Sequence, residues 1–505
     1  MADDSAIRPL NTSIVSKYET QCAAQSPSGA SLACPSLSLS VDDKIPIQTG
    51  TIIFEYVKIC SLYGVGYYYI PGTDTCIKIG GYVRYEAYHN DVSGHYADRN
   101  PSGHFTRNSQ TFGQQARFRL TGDVRTQTEY GTLRSYFSFG FNFLNGSADA
   151  DNGGIQNAIA LERAFIQFAG FTFGRSDTFF GFYNGAAYGL VPLGLDGSSG
   201  PSGHNVAAYT WQFGNGLSAT ISIEDSNARS KGVNDLVNVN LGGASDLKGQ
   251  SVPDIVGNIR VDQAWGSAQI MGGLHKVGAR YYAGATPGFS CQNANTTVCD
   301  HPGDEWGWGV GGGLTLKMPW DAKDTLSGVI AYSKGAVGFV AYGNSTTNFI
   351  HKQGIAFGAD PDAIFVTGSG LELTEAWGGT LAFEHYWTPS LRTSIVGAYL
   401  NVSYSDQAKA MIAATGGGTC AASGFVAVTN CDPDYSLWRV SSRTMWNPVR
   451  NLDIGVEVAY SQIDTAFAGA AIRGSNGNGL SAGVYNVEDQ GYWSAAFRVQ
   501  RNFWP

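Results

Sequence analysis

The chain has 505 residues, among them 66 glycines, 26 tyrosines, 26 phenylalanines and 11 tryptophans, with only 14% charged residues and a formal net charge of −9. No run of about 18 apolar residues occurs, which excludes a transmembrane helix and leaves a closed β-barrel as the only way to cross a bilayer. The acidic balance argues against a general nucleic-acid binder.

Residues 1–55 are rich in Ser, Thr, Ala and Pro and read as an N-terminal extension outside the barrel, loosely ordered or periplasmic. The start, Met1-Ala2-Asp3-Asp4, lacks the basic and apolar regions of a signal peptide, so a mature or trimmed form of an exported protein is expected. Eight cysteines fall into four local pairs, Cys22/Cys34, Cys60/Cys76, Cys291/Cys299 and Cys420/Cys431. None has CxxC spacing or a histidine pattern that points to zinc or another metal, and local disulfides in an oxidising compartment fit better than free thiols.

From Cys76 the chain takes on a strand rhythm. The first strand, near 77–89, sets Ile77, Ile79, Val83 and Tyr85 against Lys78, Tyr82, Arg84 and Glu86. The second, near 115–127, sets Ala116, Phe118, Leu120 and Val124 against Arg117, Arg119, Thr121, Asp123 and Arg125. The third runs over 133–143, with Leu133, Phe137, Phe139, Phe141 and Phe143 on one face and Arg134, Tyr136, Ser138 and Asn142 on the other. A period of two places such sets on opposite sides of a strand. Eleven residues is the length of a tilted strand crossing a bilayer, with one face in lipid and one in water. The pattern recurs near 306–318, near 452–460 and at the C-terminus, where Trp493, Ala495, Phe497, Val499 and Phe503 align. About sixteen strands are expected, and 334–373 is the segment with room for an extra hairpin.

Tight turns alternate with long polar loops. The turns centre on Glu129-Tyr130, Ala169-Gly170, Asn215-Gly216, Ala264-Trp265, Pro319-Trp320, Pro389-Ser390 and Asn447-Pro448. The loops are rich in Gly, Asn and Ser, and those over 278–304 and 406–434 each carry one cysteine pair. Short turns at one end and long loops at the other are the asymmetry of an all-β transmembrane antiparallel barrel. One loop, about 176–205, is unlike the rest: it has an aromatic start at Phe179 and Phe180, seven spaced glycines, and Asp177 and Asp196 as its only charges. Glycine lets such a chain fold compactly against a wall.

Two stretches carry a family resemblance. The first is Cys60-Ser61-Leu62-Tyr63, followed by Tyr67-Tyr68-Tyr69-Ile70-Pro71-Gly72-Thr73-Asp74-Thr75-Cys76 and continuing to Tyr85. The second is Arg163-Ala164-Phe165-Ile166-Gln167-Phe168-Ala169-Gly170-Phe171-Thr172-Phe173-Gly174-Arg175-Ser176-Asp177, with Asp196-Gly197-Ser198-Ser199-Gly200-Pro201 beyond it. Both resemble alphaproteobacterial outer-membrane porins, over residue 56 to the C-terminus. The extension before residue 56 and the terminal Pro505 depart from that pattern.

The resemblance implies a sixteen-stranded homotrimeric barrel in outer-membrane lipid, with a third outer loop folded inward to narrow a water-filled channel. It implies passive diffusion of small hydrophilic solutes and ions, with no cofactor. Asp177 and Asp196 become the acids of the constriction. Arg84, Arg117, Arg119, Arg125 and Arg134, with Arg163 and Arg175, become the bases of the facing wall. The competing reading of these arginines is a set of wall salt bridges that keep the lumen wet. Opposed charges across a narrow opening create a transverse field that filters ions.

Two other classes of function compete with this reading. An outer-membrane enzyme needs a nucleophile or acid with a poised base, but the eight histidines are scattered and no nucleophile elbow or phosphate loop stands out. A structural or adhesive barrel would use the long loops and is compatible with permeation.

Overall fold

The computed structural model describes residues 58–90, 102–105, 111–145, 155–182, 187–190, 195, 197, 203–237, 241, 245–282, 300–341, 346–351, 354–415, 425–473 and 481–503. The expected extension over 1–55 lies outside them.

Sixteen strands form the wall. They are β1 Thr75–Asn90, β2 Phe112–Thr128, β3 Gly131–Asn145, β4 Ile155–Phe168, β5 Phe171–Ser176, β6 His204–Gly214, β7 Leu217–Glu224 and β8 Asp254–Gln263. The second half is β9 Gly266–Val277, β10 Glu305–Lys317, β11 Thr325–Lys334, β12 Glu375–Thr388, β13 Leu391–Ser403, β14 Tyr435–Trp446, β15 Leu452–Asp464 and β16 Gln490–Asn502. Each pairs antiparallel with the next, and β16 returns to β1 from Tyr82↔Asn502 to Asn90↔Ser494, closing the sheet. Closure satisfies the edge groups that lipid would leave bare.

Alternation sets the two faces. On β1, Ile79, Val83 and Tyr85 are exposed on the outside, while Tyr82, Glu86 and Tyr88 are buried on the inside. Aromatic side chains mark both rims. Trp211, Trp265, Trp320, Trp387 and Trp446 lie at the short-turn end. Near the long-loop end, Trp308 packs on Tyr332, Trp377 on Tyr399, and Trp438 on Tyr460, which also meets Trp493. Such belts place amphipathic rings at the two interfaces of a bilayer.

All seven expected tight turns join neighbouring strands. Ala169-Gly170 and Asn215-Gly216 both take positive φ at their two central residues, which suits the twist of a two-residue hairpin. At Gly216 any Cβ would sit 1.9 Å from the Asp262 carbonyl oxygen, so only glycine fits.

The long loops build structure of their own. The fourth loop (L4, 225–253) and the sixth (L6, 335–374) join in a three-stranded sheet, in which Val233–Asp235 runs parallel to Ala363–Phe365. A six-stranded sheet of Ser102–Phe105, Thr346–His351, Gly354–Ala359, Phe425–Asn430, Ala468–Arg473 and Gly483–Val487 links the first, sixth, seventh and eighth loops. The extra hairpin suspected within 334–373 exists, but it belongs to this loop sheet and not to the wall. A helix, Asp406–Ala414, also stands in the seventh loop, capped by Ser405 and tied down by Lys409 on Asp432 and Asp434. Strand alternation gives no warning of it.

Candidate functional site: the lumen and its inward loop

The third long loop (L3, 177–203) turns into the barrel instead of lying over its rim. Its start is pinned by Glu224 on β7, which accepts hydrogen bonds from Thr178 Oγ1 at 2.6 Å and the Phe179 amide at 2.9 Å. Farther along, Asn258 on β8 donates to the Phe179 carbonyl at 2.6 Å, and Gln269 on β9 donates to that of Gly181 at 3.1 Å. The Phe182 ring fills the space a side chain would take at Gly313 on β10. Tyr188 meets Thr325 on β11, and its carbonyl accepts from Ser394 on β13. The Leu190 amide donates to Glu457 on β15, while its carbonyl accepts from Arg498 on β16. L3 therefore follows the wall from β7 to β13 and reaches β15 and β16. Across the lumen from β7–β13 stand β16 and β1–β4.

That facing wall is organised as arginine–carboxylate–arginine triads. Glu86 lies between Arg84, at 3.5 Å, and Arg498, in direct contact. Glu162 is in direct contact with Arg117 and lies 2.8 Å from Arg119. Nearer the short-turn end, Asp123 takes Arg125 at 2.8 Å and Arg134 at 2.9 Å. Outside that facing wall, a fourth triad on β12–β14 joins Glu384 to Arg443 at 2.6 Å and Arg392 at 3.5 Å. The Glu86, Glu162 and Asp123 triads each carry one positive charge in excess of the carboxylate, whereas Arg392 of the fourth also lies 3.9 Å from Asp453.

A bulge in β4 sets the central triad. Ser138 pairs with Arg163 and Phe139 with Leu161, so Glu162 is an extra residue in the ladder. Strict alternation would send Glu162 and Arg163 to opposite faces. Both are buried on the inside instead, while Leu161 and Ile166 are exposed on the outside. Arg163 pairs with Asp177, where L3 leaves the wall.

The short-turn end of the lumen is lined by the segment before β1. Tyr68–Tyr69 pairs with Cys76–Ile77, and a disulfide joins Cys60 to Cys76. This fold holds Tyr63 and Tyr67 under the Arg125 guanidinium, at 5.6 and 5.1 Å.

The candidate residues are thus placed as follows. Arg84, Arg117, Arg119, Arg125 and Arg134 face the lumen but are held by wall carboxylates, and Arg163 meets Asp177 of L3. Arg175 stands in β5 opposite Ala164 and Asn205. Asp196 lies outside the described residues, as do Cys22, Cys34, Cys291, Cys299 and Cys420, while Cys431 is disulfide-bonded. Glu162, Glu224, Glu384 and Arg498 were missed. Glu224 and Glu384 had a signal, since each occupies an inward position of its strand. Glu162 had none, because the bulge that turns it inward leaves no mark on alternation.

The sequence profile described as "Porin subfamily" matches residues 47–494. The chain belongs to this porin family. Porin Omp2b of Brucella abortus is 28% identical over 351 residues, which cover 65% of this chain and 90% of the relative. Porin Omp2b of Brucella neotomae is 31% identical over 216 residues, covering 42% and 55% of the two chains. Among solved structures, the outer membrane channel DcaP of Acinetobacter baumannii shares the fold. Its TM-score is 0.53 at 16% identity, covering 86% of this chain and 99% of that one. This porin resides in the bacterial outer membrane and forms a channel for passive diffusion of small hydrophilic solutes and ions. Its short turns face the periplasm and its long loops face outward.

Proposed function

We propose that the porin's constriction lies between L3 and the wall of β16 and β1–β4, and that it favours anions. The observation that carries this reading is the surplus of guanidinium groups. Four arginines, Arg84, Arg498, Arg117 and Arg119, share two glutamates beside the opening, and the Asp123 triad continues the surplus along the lumen. In a confined, weakly screened passage such an excess raises the local concentration of anions and directs them through. Asp177 and Asp196 supply the loop's negative charges, and Arg163 and Arg175 set the potential at its root. Solutes pass without a catalytic step or cofactor. Reversal potentials of the purified protein in a planar bilayer under a salt gradient test the sign, and a cation-selective result rejects this assignment. Asp196→Asn should move the potential further toward anions.

We also propose a homotrimer in outer-membrane lipid. Supporting it is the phenylalanine sheath outside β1–β5, where Phe118 packs on Phe141 and Phe503, and Phe171 on Phe173. Cross-linking of the unheated protein in detergent tests this: a ladder ending at the monomer rejects it.

A further inference from the structure

The opposite side of the lumen is filled, and by more than L3. Beyond β11 the chain does not rise to the rim. Residues 335–341 of L6 descend against the inner face of β9, β10 and β12. The Phe339 ring occupies the space that side chains would take at Gly273 and Gly309, and Val340 lies over Gly378. Phe339 packs on Phe180 of L3 with ring centroids 4.5 Å apart, and the Arg229 guanidinium covers both rings. Phe180, Val337, Phe339 and Val340 are all buried. L6 therefore forms a second inward plug, seated in a wall whose glycines make room for it.

One side chain holds this plug to L4. The carboxylate of Asp362 accepts from the Val337 amide at 2.9 Å, the Lys231 amide at 2.5 Å and Ser230 Oγ at 3.4 Å. Its own amide donates to the Gly232 carbonyl at 2.8 Å, at the start of the pairing between Val233–Asp235 and Ala363–Phe365. The charged groups around it come from every neighbouring element. L4 presents the Lys231 ammonium, 3.3 Å from Asp360, together with Arg229, Asp235 and Asp246. From β9, His275 Nε2 lies 3.8 Å away, with Asp254 of β8 on its other nitrogen at 2.7 Å. Asp360 comes from L6 itself. Three buried aspartates, Asp254, Asp360 and Asp362, thus share one lysine and one histidine, an arrangement that a bound proton relieves.

We propose that L6 is a proton-tightened latch, in which Asp362 locks the Phe339 plug into the outer half of the lumen in acid and frees it toward neutral pH, widening the channel. Burial pushes the Asp362 carboxyl up to about 6, against the opposing pull of His275, the two backbone amides and Lys231. A released L6 returns the group to water and to its ordinary carboxylate range. The latched form therefore binds the proton more tightly. The resulting stabilisation is fully present below the ordinary carboxylate value and is lost as pH rises through about 6. Between pH 7 and pH 4 the latching equilibrium should move by roughly fiftyfold.

The test is time-averaged conductance of the full chain in planar bilayers, stepped from pH 7.5 to pH 4 at constant salt. The native protein should lose conductance as pH falls through about 6. Asp362→Asn, which keeps the group uncharged, should remain in the low-conductance state with no step. Phe339→Ala should conduct more at every pH and lose most of the step. An Asp362→Asn variant that gives no heat-modifiable barrel overturns the proposal, because the uncharged side chain should hold the latch at least as firmly as the protonated acid. A native profile flat over this range overturns the proposal. So does a step that persists undiminished in Phe339→Ala, because titration of charges elsewhere in the channel then suffices.

Discussion

Glu162 and Arg163 are neighbours in the chain, yet both side chains enter the lumen, because the β4 bulge adds one residue opposite the Ser138–Phe139 step. Glu162 then holds Arg117 and Arg119, while Arg163 reaches Asp177. A single backbone irregularity therefore joins the wall triad to the root of L3.

Deleting Glu162 should leave a folded barrel. Without it, Leu161 and Arg163 become consecutive, the first outward and the second inward, and the ladder regains strict alternation. Deleting Ile166 instead should turn one flank of β4 inside out and abolish folding. Heat-modifiable mobility on gels, compared for the two deletions, checks this. A misfolded Glu162 deletion would show that the bulge is needed for assembly.

Glu162→Gln keeps the register but leaves Arg117 and Arg119 without their carboxylate. The cost should fall below the about 3–5 kcal/mol of breaking a fully buried pair, because Arg119 retains solvent contact. Denaturant unfolding in detergent measures it. Reversal potentials of the same variant should shift toward anions.

Selectivity should respond with opposite signs to loss of a loop acid and loss of a wall base. Asp177→Asn removes the loop carboxylate beside Arg163, which keeps its bond to the Glu162 carbonyl, and should move reversal potentials toward anions. Arg119→Ala removes one charge from a triad that Arg117 still satisfies, and should move them toward cations. Equal shifts in the same direction would rule out opposed charges as the basis of selectivity.

The Cys60–Cys76 disulfide closes a short segment beneath the lumen, where Tyr63 and Tyr67 lie under Arg125. Replacing both cysteines by serine should loosen this segment while the wall stays folded. The constraint lost is about 3 kcal/mol in the chain-entropy account. Conductance should rise, and hydrogen exchange over 58–74 should quicken while that of β1–β4 does not. Unchanged exchange in the segment would mean that its aromatic contacts alone hold it.

Phe180→Ala removes a fully buried ring where L3 meets L6. Cavity formation at such a site costs about 3–5 kcal/mol. Because Glu224, Asn258 and Gln269 still tether L3, the loss should appear as noisier single-channel current and not as an unfolded barrel.

The wall of this porin was determined by local pattern. Alternation from Ile79 to Tyr85 or from Leu133 to Phe143 assigns the two faces, because a strand repeats every two residues whatever surrounds it. Turn chemistry such as Asn215-Gly216 sets the hairpins through backbone sterics that are equally local. The family motifs added the inward course of L3. What fills the lumen was decided only by the closed barrel. Bringing β1 beside β16 seats Arg498 against Glu86, 412 positions apart in the chain. The bulge at Glu162 breaks the one rule from which inward residues are read. Phe339 and Asp362 lie in a loop that carries no period. Their places depend on glycines of β9 and β10 and on amides of L4, and such contacts exist only once the chain has closed on itself.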